Sequence, residues 1–287
     1  QLHALAQLSA TDEGKWLVSM EKGGLVQKFE PGWGAPFVMK NLLGHDQAPS
    51  VLDVGGGVRK VVFTSATLLG AEFVRDSLGL PEASTVYLDL PSTFLPVHRP
   101  INYSPVVKLS ASASESDYAL MQTAVDNIIG YYLSHGEKAG IIHAVSNKYR
   151  ENILTNSRWR SIMTVDAEEH ARRVQQGQPS VVVSANMTEG WDGLDDLCRF
   201  VIMPKVPYPN LGDKRTALRM SEDSRSYDWR ALVSVVQGAG RGVRHAQDYS
   251  DCWILDKNWG DQLYRKRKAW LPASFRDAYH HGVQLPR

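Results

Sequence analysis

The chain has 287 residues, 43% of them hydrophobic and 22% charged, enough to bury a substantial core in one large domain or two small ones without staples. Its formal net charge of +1 excludes a surface that is basic throughout, so any contact with nucleic acid has to be local. Cys198 and Cys252 both lie in apolar runs, which argues against a disulfide scaffold or a zinc site and for buried thiols in a reducing compartment; no membrane-length apolar run and no signal-peptide pattern is present.

Gln1, where an initiator Met would stand, reads as the start of a processed chain or of a piece of something longer. Residues 1–60 read as a helix end followed by a hairpin, with "KWLVSMEK" and "LVQKFEP" as strands around Gly23-Gly24 and "GGG" at 55–57 as a turn. Val61 to Thr64 reads as a buried strand that opens into a polar loop, and "GAEFVRDSLGL" as a helix ended by Gly79 with Pro81 beyond. "SASASES" (110–116) is a polar linker or helix lead-in before a strongly apolar helix at 117–134. Then strand and helix alternate. The strands are "AGIIHAV" (139–145), "RSIMTV", "SVVVSA" (180–185), "CRFVIMPKV" (198–206) and "DCWILD" (251–256). Ser146 is the expected N-cap of the helix "SNKYRENILTNS", and "DAEEHARRVQQG" carries acid in its first turn and Gly177 at its end. "SYDWRALVSVVQGAGRGVR" reads as one long helix. Continuous Val/Ile/Leu strands between helices predict a parallel sheet covered on both faces, with ligands bound at the loops after Thr64, Ser184 and Val206.

The long helix raises the sharpest question. Gly238, Gly240 and Gly242 each cost a helix about 1 kcal/mol relative to alanine. Trp229, Leu232, Val233, Val236 and Val243 fall on an apolar stripe, while Gln237, Arg241 and Arg244 share another face with no acid on it. A solvated polar face would read the same way, but glycines beside arginines suggest close backbone approach, and paired guanidinium groups suit phosphate oxygens. Two further stretches carry less on their own. Thr188, Glu189, Gly190 and Asp192, after the strand at 180–185, form either an ordinary acidic turn or a loop that opens its N–H groups to phosphate. Ser65-Ala66-Thr67 is an ST-type turn or a hydroxyl pair facing a carboxylate or phosphate.

Taken in order, Ser-Ala-Thr, Glu-Gly-x-Asp and Gln-x-x-Gly-Arg-x-x-Arg resemble motifs III, V and VI of superfamily 2 helicases. "VPYPNLGD" (206–213), "GRGVRHAQDYSDCWILDKNW" (240–259) and "FTSATLLG…FVRDSLGL" narrow the resemblance to the DinG/XPD type, over residues 60 to 260 or so. That family has two RecA-like domains, with ATP between them and single-stranded nucleic acid across their tops. The resemblance implies that residues 1–80 end the first motor domain and that 81–287 form the second, a RecA-like parallel sheet with helices on both faces. It implies that Arg241 and Arg244 are arginine fingers and that Gln237 senses the γ-phosphate. Gly240, Asp192 and Glu189 would serve the nucleotide, and Ser65, Ala66 and Thr67 would couple it to DNA. Thr188, Gly190, Tyr208 and Ser146, the last in the motif IV stretch "IIHAVSNKY", would contact nucleic acid. Trp191 stands where the family has a smaller aliphatic residue, and the aromatic that precedes the motif IV serine is missing.

No Gly-x-x-x-x-Gly-Lys-Ser/Thr loop and no acidic metal-holding box occurs in the chain, so Mg-ATP is expected to be held mainly by an upstream domain, and the isolated chain to hydrolyse ATP negligibly. The cysteine cluster of an iron–sulfur centre, found in many XPD-type members, would also lie upstream. The expected partners are single-stranded DNA, duplex junctions and the first motor domain in cis, for a monomer with no membrane contact, cytoplasmic or, in a eukaryote, nuclear. The resemblance implies 5′ to 3′ movement. The competing reading is a non-catalytic nucleic-acid-binding or protein-docking module that kept the fold. Of the rest, "YRKRK" (264–268) reads as a solvated helix end or a phosphate contact, Trp229 as core and His280-His281 as tail.

Overall fold

The computed structural model describes residues 16–21, 26–35, 38, 60–110, 112–185 and 195–286. The helix end expected before Trp16, the turns at Gly23-Gly24 and Gly55 to Gly57, and the loop bearing Thr188, Glu189, Gly190, Trp191 and Asp192 lie outside the described residues. The chain forms two units, Gln1–Leu88 with Tyr208–Arg230, and Asp89–Pro207 with Ala231–Arg287.

The larger unit is built on a seven-stranded parallel sheet. Its strands are β3 (Ile101–Val107), β4 (Ala139–His143), β5 (Met163–Thr164), β6 (Ser180–Ser184), β7 (Phe200–Met203), β8 (Asp251–Asp256) and β9 (Tyr279–His281), in the order β5-β6-β4-β7-β8-β3-β9. Every residue of β4 and β7 is buried, as a sheet covered on both faces requires. Ile142, Phe200, Ile202, Trp253 and Leu255 meet helices α2 (Glu115–Ser134) and α3 (Asn147–Asn156) in one core. Their alternating neighbours Ile141, Val201 and Ile254 are buried on the other face. One contact fixes the centre of the sheet. Phe200 lies so close to Gly140 that a Cβ there would come within 2.1 Å of its ring. The same ring stacks on Tyr132 at 4.6 Å.

Capping follows the sequence. Ser114 and Asp117 form a capping box on α2, Ser146 caps α3, and Asp166 caps α4 (Ala167–Gln175). The strand β3 is the element that periodicity misses, because Pro105 interrupts it and a register shift follows between Tyr103 and Val107. His280 and His281 are not tail; they belong to β9, the strand that pairs with β3 at the sheet edge.

The smaller unit holds the expected hairpin, β1 (Trp16–Glu21) antiparallel to β2 (Val26–Pro31), with helices α1 (Ala71–Leu78) and α5 (Lys214–Glu222) and the start of α6 (Arg225–Ala239). Trp229 is half-buried here: its indole N–H donates to the Leu69 carbonyl at 2.6 Å, and its ring packs on Phe73, which meets Trp33 edge-on. Gly79 ends α1 in the left-handed conformation, as expected. Val61 to Thr64 is a correction. It forms no strand, and Val62 is 88% exposed, because no neighbouring strand among the described residues pairs with it. Apolar composition supports a strand only where a sheet receives it.

Candidate functional site

The glycine-rich stretch breaks its helix. α6 ends at Ala239, Gly240 to Gly242 make a single tight turn, and Val243 is extended. The buried residues of α6 are Ala231, Leu232 and Val235, while Val233 and Val236 are half-buried, so the predicted stripe is displaced around the helix. Gln237 and Arg241 therefore do not share one continuous helical face with Arg244. The glycines divide the reason between them. At Gly242 a Cβ would meet Ser250 Oγ at 2.1 Å and lie 3.4 Å from the Cys198 carbonyl, so only glycine lets this turn pack against the approaches to β7 and β8. At Gly240 a Cβ would meet nothing within 4 Å, leaving an exposed backbone open to a ligand.

The segment after the turn is braced by Asp248. Its buried carboxylate accepts the backbone N–H groups of Arg244 and Tyr249, each at 2.9 Å, and pairs with Arg199 at 2.8 Å. The Arg199 guanidinium also lies over the Tyr249 ring at 4.2 Å. The Arg244 backbone is thus fixed while its side chain stays exposed; Arg241 is half-buried, with its Nε atom out of solvent. The sequence places Asp248 beside the arginines but does not reveal its use as a brace, since Arg199 arrives from far along the chain.

At the end of β4, Ala144 donates to the Ser184 carbonyl at 2.7 Å, and the Ser146 N–H turns back to the Ala144 carbonyl at 2.8 Å. Between them Val145 has φ 66°, a left-handed conformation that a β-branched residue adopts only under strain. Ser146 is exposed; its hydroxyl accepts the Tyr149 N–H at 3.3 Å and keeps its own proton to give away. His143, just before this turn, is 2% exposed, and neither ring nitrogen finds a hydrogen-bond partner among the described residues. Burial, with the positive charge of Arg241 added, pushes its pKa down to about 3. The one sequence signal for it is an imidazole inside the apolar run "AGIIHAV".

Ser65, Ala66, Thr67 and Tyr208 belong to the smaller unit. Ser65 Oγ accepts the Thr67 N–H at 3.2 Å, which is the ST-type turn, with Ser65 and Ala66 exposed. Tyr208 stacks on Tyr227 at 5.0 Å and 13°, so one face of its ring is already covered.

The donor set around Arg241 and Arg244 suits a polyanionic phosphate. Among the described residues no three His, Cys, Asp or Glu side chains are grouped to hold a metal ion. Cys198 and Cys252 do not fit an iron–sulfur cluster: both are buried, and burial pushes the Cys198 thiol up to about 12, far from the thiolate a ligand needs. None of the described helices is long and apolar enough to cross a membrane.

A family model described as "Helicase C-terminal domain" matches residues 117–276. The chain is similar to "ATP-dependent DNA helicase CHL1" of Saccharomyces cerevisiae, 26% identical over 173 residues, which cover 51% of this chain and 20% of that protein. The protein of the same name from Candida albicans is 31% identical over 109 residues, 31% of this chain and 13% of that protein. The matched stretches thus span a fifth or less of these relatives. The fold is similar to a solved structure named XPD_Helicase, with TM-score 0.53 and 18% identity over 76% of this chain and 42% of that one.

Proposed function

Because the chain belongs to the helicase C-terminal domain family, we propose that it is the second motor domain, preceded by the end of the first, of an ATP-dependent DNA helicase of the DinG/XPD type. The observation that carries this reading is the pair Arg241 and Arg244 on a glycine-broken turn, with the Gly240 backbone open and the Arg244 backbone pinned by Asp248. The curated relatives, named as ATP-dependent DNA helicases, support it.

ATP is the substrate, held mainly by the first motor domain in cis. Arg241 and Arg244 offer guanidinium charge to the transferring phosphoryl group, where charge grows in the transition state. Gln237 senses the γ-phosphate, and Gly240 admits the nucleotide to the backbone. Glu189 and Asp192 relay between the nucleotide and the strand, and Ser65, Ala66 and Thr67 couple nucleotide state to DNA. Thr188, Gly190 and the Ser146 hydroxyl hold the backbone of single-stranded DNA, while the Tyr208 ring, backed by Tyr227, offers a base its remaining face. Residues 1–80 are assigned to the first motor domain and 81–287 to the second. The protein works as a monomer at duplex junctions, in the nucleus if its source is a eukaryote.

The test is single-stranded-DNA-stimulated ATP hydrolysis and unwinding of tailed duplexes by the product of the whole reading frame. Arg241→Ala is expected to lower kcat by about 10³-fold, the lower end of what an arginine finger supplies. Wild-type turnover in that variant would remove the reading, and so would ATP turnover by these 287 residues alone that depends on Arg241.

A further inference from the structure

The imidazole of His143 lies in the interior with both nitrogens lacking hydrogen bonds, a costly arrangement that a phenylalanine of similar size would avoid. It alternates with Ile142, so it points away from the core made with α2 and α3, onto the face it shares with Ile141. The charge of Arg241 reaches it there, and the Nε atom of Arg241 is itself shielded from water. The turn that follows His143 is held with Val145 in a left-handed conformation, the kind of local strain that surrounding structure sustains at working sites. A neutral imidazole beside a guanidinium has one evident use, since its lone pair can accept a guanidinium N–H.

We propose that His143 is a positioning residue for Arg241: when nucleotide draws the arginine into its working position, the unprotonated ring nitrogen accepts a guanidinium N–H and fixes the direction in which the other N–H groups meet phosphate. His143 touches no substrate; it acts through the arginine. The inference rests on the reading of Arg241 as phosphate-facing and adds to it the group that aims the side chain. It also accounts for a polar ring in an apolar strand, because the partner missing in this conformation is supplied in the other.

The experiment uses the product of the whole reading frame, with single-stranded-DNA-stimulated ATP hydrolysis and thermal unfolding as readouts. His143→Phe is expected to lower kcat roughly ten-fold, within what a misplaced reacting group costs, while KM for ATP stays within about two-fold and Tm does not fall. His143→Gln, which keeps an acceptor and a donor, restores kcat to within about three-fold of wild type. In the Arg241→Ala background His143→Phe has no further effect. Wild-type kcat in His143→Phe, or a loss that adds in full to that of Arg241→Ala, overturns the proposal. Should His143→Phe fail to fold, His143→Leu carries the same comparison. If Arg241→Ala is itself silent, the reading of the arginine has failed; if it is inactive and His143→Phe is not, only the role of His143 has.

Discussion

His170 and His143 are both buried, yet they differ in what they touch. The Nε2–H of His170 donates to the Leu197 carbonyl at 2.8 Å, which leaves Nδ1 to accept from the Ser180 hydroxyl at 3.0 Å. His143 has no such partners among the described residues. Burial lowers the pKa of both, that of His143 from the ordinary 6.5 to about 3. The folded state therefore refuses protons that the unfolded chain takes up below about pH 6.5, so stability is full above that pH and falls as pH drops toward 3. The expected slope is up to about 1.4 kcal/mol per pH unit for each such histidine. Urea unfolding measured from pH 7 down to about pH 4 checks it; His143→Phe should flatten the curve by about one proton, and an unchanged slope would refute the assignment. The glycines give a second contrast. Gly242→Ala should destabilise by about 1–3 kcal/mol, since Ser250 is buried and cannot step aside. Gly240→Ala should be neutral or stabilising by up to about 1 kcal/mol. If the nucleotide approaches Gly240 as proposed, that same variant loses ATPase activity while gaining stability.

At the scale of elements, one carboxylate ties three loops. Asp256, at the end of β8, accepts the N–H groups of Val206 at 3.0 Å, Asn258 at 2.9 Å and Leu109 at 3.4 Å, the last weaker by its length. Asp256→Ala should orphan all three and cost about 2–5 kcal/mol, read as a lower urea midpoint with unchanged m-value. How far such elements can be read from sequence depends on where their stabilisation comes from. β4, β6 and β8 are legible because their apolar runs are continuous, and α2 and α3 because serine caps announce them. β3 is hidden by Asn102, Ser104 and Pro105, and is held by pairing with β8 and β9, residues that lie about 150 and 180 positions on. Val61 to Thr64 fails in the opposite way, with strand composition and no sheet to join. The arginines were legible as chemistry but not as geometry: helical spacing carried them onto one face, and the break at Gly240 follows from the contact between Gly242 and Ser250.

For the whole molecule, the family is carried by residues 117–276, which make up most of the parallel sheet and the arginine turn, whereas the phosphate cradle that this turn would serve has no counterpart motif in the sequence. A protein divided in this way can bind its substrate in one part and complete the reacting site with another, so that turnover reports closure as well as chemistry. The crowded middle of the sheet has a consequence of a different kind. Position 140 and the ring of Phe200 fill a single volume between β4 and β7. The two sites are therefore not free to drift apart in evolution: a descendant that gains a side chain at 140 has to shrink residue 200, and with it the surface on which Tyr132 stacks. Sequence change at these positions comes as a linked set or not at all.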